Sequence, residues 1–211
     1  MQLAEIWRYP VKSLAGERLD SVELTSDGVP GDRAVHLRDD RGKVATSRRY
    51  YQLVTIPATL GEDGAPLVDG ERWDSEPAAR RIREAAANDV RLVASEDGPL
   101  HDDTPLLVAT DGAVEWLGED GRRFRANLVV AGVDGLGERD WPDRTLRIGS
   151  ASIAVRHLCE RCLVTTIDPD TAEVDPSVLT RVRQDLDGLF ALNCEVLEPG
   201  RVAVGDAVEL A

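Results

Sequence analysis

Short apolar segments separated by turn-forming residues recur along most of this 211-residue chain. Residues 2–9 carry apolar side chains in both alternating sets, which indicates a mostly buried strand. Pro10 should end that strand, because proline has no N–H to donate to a neighbour. Further strands are predicted over 18–25, 34–38, 53–60, 90–94, 106–109, 128–130, 145–148, 152–157, 189–196 and 207–210. The pattern predicts an α+β, β-rich fold with a barrel-like core.

Helices are few and should lie at the periphery of this fold. Residues 75–88 show the clearest helical pattern, with Ser75 as the N-cap and Asn88 at the end. Thr110 or Asp111 is suited to cap a second helix that runs to about Gly118. Shorter helices are predicted over 46–53 and 176–185.

The length suits one large domain or two small, intimately packed ones. Composition changes little near residue 95, and Gly98-Pro99 is the best local boundary signal. We therefore predict an N-terminal β-rich region over 1–95 and a second region over 96–211.

The charge balance excludes several classes of partner. A formal charge of −14 argues against nucleic acid and against a basic patch for anionic lipid. No apolar run approaches the roughly 20 residues of a membrane span, and the first residues lack a secretory signal pattern. Three cysteines, an odd number, do not form a secreted disulfide framework. We expect a monomer in a reducing cytoplasm.

Two of the three cysteines, Cys159 and Cys162, lie within residues 157–173. His157 and Arg161 stand beside them, and nearby positive charge favours the thiolate, which is the nucleophilic and metal-binding form of cysteine. The third cysteine, Cys194, is expected to be a core residue of a late strand. A cluster of this kind requires a chemical explanation in a chain with so few thiols.

Four interpretations of the cysteine pair stay open on the residues alone. A redox pair of the thioredoxin type usually opens a helix, whereas residues 163–167 are predicted to form a strand. Half of a zinc site would need a second Cys or His pair, which the sequence lacks. The pair could also supply one thiolate ligand to a metal cofactor that brings most of its own ligands. Two buried structural cysteines are the simplest alternative.

The segment at 161–171, Arg-Cys-Leu-Val-Thr-Thr-Ile-Asp-Pro-Asp-Thr, resembles the signature of the MOSC domain family, and most closely its mitochondrial amidoxime-reducing component branch. Further matches follow in the same order along the chain. They are Tyr-Pro-Val-Lys-Ser at 9–13, Gly-Asp-Arg at 31–33, His-Asp-Asp-Thr-Pro at 101–105, Phe-Arg-Ala-Asn at 124–127 and Val-Gly-Asp at 204–206. The resemblance implies a MOSC β-barrel core, an intimately packed N-terminal β-rich subdomain and a few peripheral helices.

The resemblance also implies a molybdenum cofactor, one pyranopterin dithiolene with a terminal phosphate, and assigns the protein thiolate ligand to Cys162. Cys162 is thereby the metal ligand and the catalytic residue, and Cys159 a neighbour or structural residue. Pyridoxal phosphate is not expected. The residues expected to hold the cofactor are Lys12, Ser13, Arg33, Thr104, Arg125, Asn127 and Cys162.

Each cofactor candidate also has a simpler explanation. Lys12 and Ser13 follow a strand end, where polar residues are usually solvated. Arg33 offers a planar fork of donors for a phosphate, but it could instead pair with Asp32. Thr104 could donate a hydroxyl or merely form a turn. Arg125 and Asn127 alternate with apolar neighbours, so both can face one pocket, with Ser47, Arg48 and Arg49 nearby.

The activity implied by the resemblance is reduction of small N-hydroxylated compounds such as amidoximes, hydroxylamines and N-hydroxylated bases. Electrons would come from a separate ferredoxin, flavin or haem protein with its reductase, because no cysteine follows Cys194 to form a fused iron–sulfur module. The alternatives are a non-enzymatic carrier of the cofactor, a sulfur-transfer module with Cys162 as persulfide, and a thiol-dependent enzyme without a metal.

Overall fold

The computed structural model describes residues 1–86, 90–95 and 98–211. Their strands are β1 Gln2–Arg8, β2 Glu17–Leu19, β3 Ser21–Leu24, β4 Val35–Arg38, β5 Val44–Ala45, β6 Ala58–Leu60, β7 Pro66–Val68, β8 Glu71–Arg72, β9 Arg91–Ala94, β10 Leu106–Thr110, β11 Leu128–Ala131, β12 Thr145–Ile148, β13 Ala151–Glu160, β14 Leu189–Glu198, β15 Gly200–Ala203 and β16 Val208–Leu210. The helices are α1 Glu76–Ala85, α2 Asp111–Leu117 and α3 Pro176–Asp185, with 3₁₀ helices over Tyr51–Thr55, Gly121–Phe124, Gly137–Asp140 and Leu163–Thr166.

The largest sheet has eight strands in the order β16-β12-β13-β14-β10-β11-β1-β2. β10 and β11 are parallel, and the other neighbours in this sheet are antiparallel. An antiparallel bridge joins Gln2 to Ala207, so the start of β1 meets the chain just before β16. The sheet therefore curls back on itself, and the predicted β-rich fold is confirmed.

The main sheet encloses the larger hydrophobic core. Leu3 and Ile6 of β1 pack in one cluster with Leu128 of β11, Leu146 of β12 and Leu192 of β14. All five side chains are fully buried. The first strand of the chain thus shares its core with strands from the second half of the sequence.

A second core lies among the N-terminal elements. Val35, Leu53, Val68 and Ile82 are buried there, between the sheet β5-β4-β9, the sheet β6-β7-β8 and helix α1. The chain leaves this region after β9. Glu96 and Asp97, where the proposed division between 1–95 and 96–211 falls, lie outside the described residues, so that division stays a prediction.

The caps of the helices follow the sequence closely. The Ser75 hydroxyl accepts a hydrogen bond from the Ala78 N–H at 3.3 Å and begins α1. Thr110 does the same for Ala113 at 3.3 Å, and α2 ends at Gly118 in the left-handed conformation. Asn88, the predicted end of the first helix, lies outside the described residues. Of the helices that the structure describes, none is both long and apolar enough to cross a bilayer.

Three predictions in two segments of the chain are wrong. Residues 163–167 form a 3₁₀ helix, Leu163–Thr166, instead of a strand. The hydroxyls of Thr165 and Thr166 donate to the carbonyl oxygens three residues earlier, at 2.9 and 2.7 Å, which favours a tight turn over an extended chain. The strand predicted over 53–60 starts only at Ala58, because the 3₁₀ helix Tyr51–Thr55 and Pro57 precede it. The helix predicted over 46–53 is also wrong, since this part of the chain forms turns followed by the same 3₁₀ helix.

Candidate functional site

One cavity of about 300 Å³ is lined by every residue that the sequence predicted to hold a cofactor. These residues come from distant parts of the chain, and the fold brings them together. They are Lys12, Ser13, Arg33, Thr104, Arg125, Asn127 and Cys162. Ser47 and Arg48, expected nearby, also line the cavity, whereas the guanidinium of Arg49 lies over the Tyr50 ring at 5.1 Å.

Lys12 enters the cavity directly after β1. Its N–H donates to the carbonyl oxygen of Val35, and its side chain is only 9% exposed. The ammonium donates to the Leu100 carbonyl oxygen at 2.9 Å and to Asp102 Oδ1 at 2.8 Å. Burial lowers the pKa of Lys12, and the hydrogen bond to Asp102 opposes that effect. Ser13 follows with a φ of 76°, so the chain turns sharply here and keeps Ser13 at the cavity wall.

Arg33 lies beside a fully buried carboxylate. Asp32 accepts a hydrogen bond from the N–H of Tyr9 at 2.6 Å and another from the Arg33 guanidinium. The salt bridge considered as the simpler role of Arg33 therefore exists. Arg33 nevertheless also lines the cavity, so the ion pair fixes the cation at the wall of the site.

Arg125 is a partly buried cation with an incomplete set of hydrogen bonds. It follows the 3₁₀ helix Gly121–Phe124 with a φ of 56°, and its guanidinium lies 4.3 Å from the centre of the Tyr9 ring. Its Nη2 is buried and has no hydrogen-bond partner among the described residues. Burial lowers the pKa of Arg125 to about 10. A buried donor of this kind is costly without an acceptor, so an anion in the cavity would satisfy it.

Asn127 and Thr104 line the cavity while bonding to the backbone around it. Asn127 Oδ1 accepts from the Leu107 N–H at 3.1 Å, and its Nδ2 lies 3.4 Å from the Trp7 carbonyl oxygen. Thr104 donates its hydroxyl to the Leu106 carbonyl oxygen at 3.0 Å. These bonds hold β1 and β10 in place around the site.

The two cysteines of the cluster face different arginines. Arg48 Nε donates to Cys162 Sγ at 3.5 Å, whereas Arg161 Nη1 donates to Cys159 Sγ at 3.2 Å. Both thiols are unpaired, partly exposed and at the cavity wall. Among the described residues, no three His, Cys, Asp or Glu side chains are grouped as ligands for one metal ion. Cys194 is fully buried in β14, which confirms its predicted place in the core.

Cations outnumber acids at the cavity wall although the whole chain is acidic. Among the residues that the structure describes, the cations at the wall are Lys12, Arg33, Arg48, Arg125 and Arg161, and the acids are Asp102, Asp103 and Glu160. Partial burial opposes ionisation of Asp102, but its hydrogen bond to Lys12 and the charge of Arg48 lower its pKa below the ordinary value. Because the buried Asp32 behind the wall already pairs with Arg33, these side chains leave an excess of about one positive charge for an anion.

Sequence reasoning missed a polar network at one side of the cavity. His157 Nε2 lies 2.8 Å from Asp103 Oδ2, and Asn193 Nδ2 donates to the same oxygen at 2.9 Å. His157 and Asn193 are register partners across β13 and β14. The signal in the sequence is weak, because the two residues are 36 positions apart and meet only through the strand pairing.

The fold and the site now allow comparison with known proteins. The family described as "MOSC domain" matches residues 99–209, and the family "MOSC N-terminal beta barrel domain" matches residues 1–119. The chain therefore belongs to the MOSC family, and the resemblance carried by the sequence motifs is confirmed. The two matches overlap over residues 99–119.

Three similar proteins and one solved structure extend this result. "Mitochondrial amidoxime reducing component 2" of Macaca fascicularis is 27% identical, over 98% of this chain and 82% of that protein. "Mitochondrial amidoxime-reducing component 1" of Homo sapiens is 26% identical, over 99% and 82%. "Molybdenum cofactor sulfurase" of Caenorhabditis elegans is 25% identical, over 86% of this chain but 31% of its own length. The YuaD protein of Bacillus subtilis has a TM-score of 0.51 at 12% identity, covers 99% of this chain and 94% of that one, and supports the fold alone.

Proposed function

We propose that the cavity binds a molybdenum cofactor and that the protein reduces small N-hydroxylated compounds. The observation that carries this proposal is one cavity that contains both the partly buried Arg125, whose buried Nη2 has no hydrogen-bond partner among the described residues, and the partly exposed thiol of Cys162. The guanidinium of Arg125 suits the terminal phosphate of the cofactor, and the thiol of Cys162 suits its soft metal centre. The names of the amidoxime-reducing relatives support the same activity.

The residues present fit the two ends of this cofactor. Lys12, Arg33 and Arg125 would hold the phosphate through charge-assisted hydrogen bonds, and the excess of cations at the cavity wall favours an anion there. Cys162 would supply a thiolate, a ligand type that soft metal centres favour. Ser13, Thr104 and Asn127 would shape the wall of the cavity. When bound, the cofactor supplies the two-electron redox chemistry.

The proposed reaction takes two electrons and two protons per turnover and converts R–NHOH to R–NH₂ and water. The described residues contribute binding, orientation and a partly exposed entrance. Electrons would come from a separate ferredoxin, flavin or haem protein with its reductase. We further propose that the protein works as a monomer in the cytoplasm.

A second candidate function rests on the two thiols. Cys159 and Cys162 are both unpaired at the cavity wall, and one relative is named a molybdenum cofactor sulfurase. Sulfur transfer with a persulfide on Cys162, or storage of the cofactor without turnover, would use the same cavity.

Metal and pterin analysis of protein made in a host competent for cofactor synthesis tests these functions. We expect roughly one molybdenum per chain, the content of a single cofactor site. We also expect reduction of an aromatic amidoxime with a chemical reductant. Bound molybdenum without turnover would favour the carrier. A persulfide on Cys162, detected by mass spectrometry in protein lacking molybdenum, would favour sulfur transfer, and full zinc with no molybdenum would overturn the cofactor assignment.

A further inference from the structure

We propose that Arg48 tunes the sulfur ligand: its Nε donates a hydrogen bond to Cys162 Sγ, and Asp102 holds the guanidinium in the position that this bond requires. The inference rests on the proposed function, in which Cys162 is the metal ligand. Arg48 acts through the sulfur and is therefore a positioning residue. It lies 114 positions before Cys162 in the sequence and reaches it only through the fold.

The contacts form a continuous chain from a buried anchor to the thiol. Lys12 Nζ is held by the Leu100 carbonyl oxygen at 2.9 Å and by Asp102 Oδ1 at 2.8 Å. The second oxygen of Asp102 accepts from Arg48 Nη2 at 3.3 Å, and Arg48 Nε donates to Cys162 Sγ at 3.5 Å. The Arg48 side chain is 47% exposed, so without Asp102 it would sample many rotamers.

The chemistry of this contact requires an arginine. The guanidinium is planar and permanently charged, so two of its N–H groups can serve the carboxylate and the sulfur at the same time. An N–H donor at a thiolate withdraws electron density from the sulfur, and hydrogen bonds to sulfur ligands are a known lever on metal potentials. The donor should favour the reduced metal, because reduction adds negative charge next to it.

The first test uses the molybdenum-loaded protein and measures the midpoint potential of the metal by EPR-monitored redox titration. We expect Arg48→Met, which has no N–H donor and no charge, to shift the potential to more negative values, and Arg48→Lys to give a smaller shift because its charge remains. Arg49→Met is the matched control, since it removes the same charge from the neighbouring residue, which lies over Tyr50. A potential that stays at the wild-type value in Arg48→Met would overturn the inference.

A second test needs no cofactor and separates this inference from the proposed function. In cofactor-free protein, iodoacetamide modification of Cys162 at neutral pH is followed by peptide mass spectrometry, with Cys159 as the internal reference. Loss of the donor should slow modification of Cys162 several-fold in Arg48→Met, although the smaller side chain exposes the sulfur more. An unchanged or faster rate of modification at Cys162 contradicts the role of Arg48, whether or not the protein binds molybdenum. If the rate is slower but the protein never binds molybdenum, the role of Arg48 is supported and the proposed function fails.

Discussion

Arg161 donates a hydrogen bond from Nη2 to the carbonyl oxygen of Phe124 at 2.8 Å. Arg161 stands between the two cysteines of the cluster, and Phe124 directly precedes Arg125. A second link joins the same segments, since Arg123 Nη1 donates to the Thr166 carbonyl oxygen at 3.2 Å. Two hydrogen bonds thus link the segment that carries the thiols to the segment that carries Arg125.

Replacement of Arg125 by methionine should abolish cofactor retention while making the cofactor-free protein more stable. Burial lowers the pKa of Arg125 to about 10, so the cation is less stable at this position than in water. The contact with the Tyr9 ring acts in the opposite direction, by about 1–2 kcal/mol. We therefore expect a small net gain in the free energy of unfolding.

Chemical unfolding of cofactor-free protein and pterin content after dialysis check this prediction. Arg80→Met, on the exposed side of α1, serves as the control and should change neither quantity appreciably. Full pterin content in Arg125→Met would mean that the phosphate is held elsewhere.

Serine substitutions should separate the two cysteines of the cluster. In Cys162→Ser a hydroxyl replaces the thiolate and makes a poor ligand for a soft metal, so reduction of N-hydroxylated substrates should cease. Cys159→Ser alters the contacts of this thiol with Arg161 and with the Glu160 carbonyl oxygen and leaves the proposed metal ligand in place, so partial activity should survive. Activity with a chemical reductant is normalised to bound molybdenum. Equal loss in both variants would indicate a dithiol redox pair instead.

The stability of the protein should fall at alkaline pH through Tyr9. Burial raises the pKa of Tyr9 to about 12, whereas an unfolded tyrosine ionises near pH 10. The contribution of neutral Tyr9 to the free energy of unfolding is complete below about pH 10. It is lost as pH rises towards about 12, by about 1.4 kcal/mol per pH unit.

The variant Tyr9→Phe tests this pH dependence by denaturant unfolding at about pH 8 and about pH 11. At the lower pH it should be about 1 kcal/mol less stable than the wild type, because the hydrogen bond to the Ala126 carbonyl oxygen is lost. Between the two pH values it should lose less stability than the wild type. Tyr51→Phe, at a more exposed tyrosine, should keep the wild-type pH dependence.

Gly16→Ala should disturb the support beneath Arg125. A Cβ at this position would lie 2.5 Å from Tyr9 Cδ1 and 2.7 Å from the Arg8 carbonyl oxygen. Overpacking of this kind costs about 1–3 kcal/mol and should displace the Tyr9 ring. Thermal unfolding measures the cost. Gly121→Ala is the control, because a Cβ at this position would have the Val114 methyl groups as its nearest neighbours, at 3.5 and 3.6 Å. A loss of stability in Gly121→Ala as large as that in Gly16→Ala would refute the steric explanation.

Local signals in the sequence predicted the elements whose determinants are local. The caps at Ser75 and Thr110 and the helix end at Gly118 depend on residues within a few positions of one another. The 3₁₀ helix Leu163–Thr166 was missed because β-branched residues favour strands on average, while here the threonine hydroxyls bond the preceding carbonyls.

The composition of the cavity could be predicted only in part. The motifs indicated the polar residues that line it, since each lies in a short recognisable segment. The contact of Arg48 with Cys162 and the group formed by Asp103, His157 and Asn193 depend on the pairing of distant strands. No spacing along one segment encodes such contacts, so only the assembled sheet reveals them.

The order of the strands has a consequence for synthesis on the ribosome. In the pairing of β3 with β15, Val22 meets Val202, 180 positions later. At a ribosomal rate of about 5–20 residues per second, β3 is synthesised roughly 10–40 s before its pairing partner β15. β1 is likewise synthesised before its partner β11. Since unpaired strands invite wrong pairing, the nascent chain should need protection of its first residues until the last ones emerge.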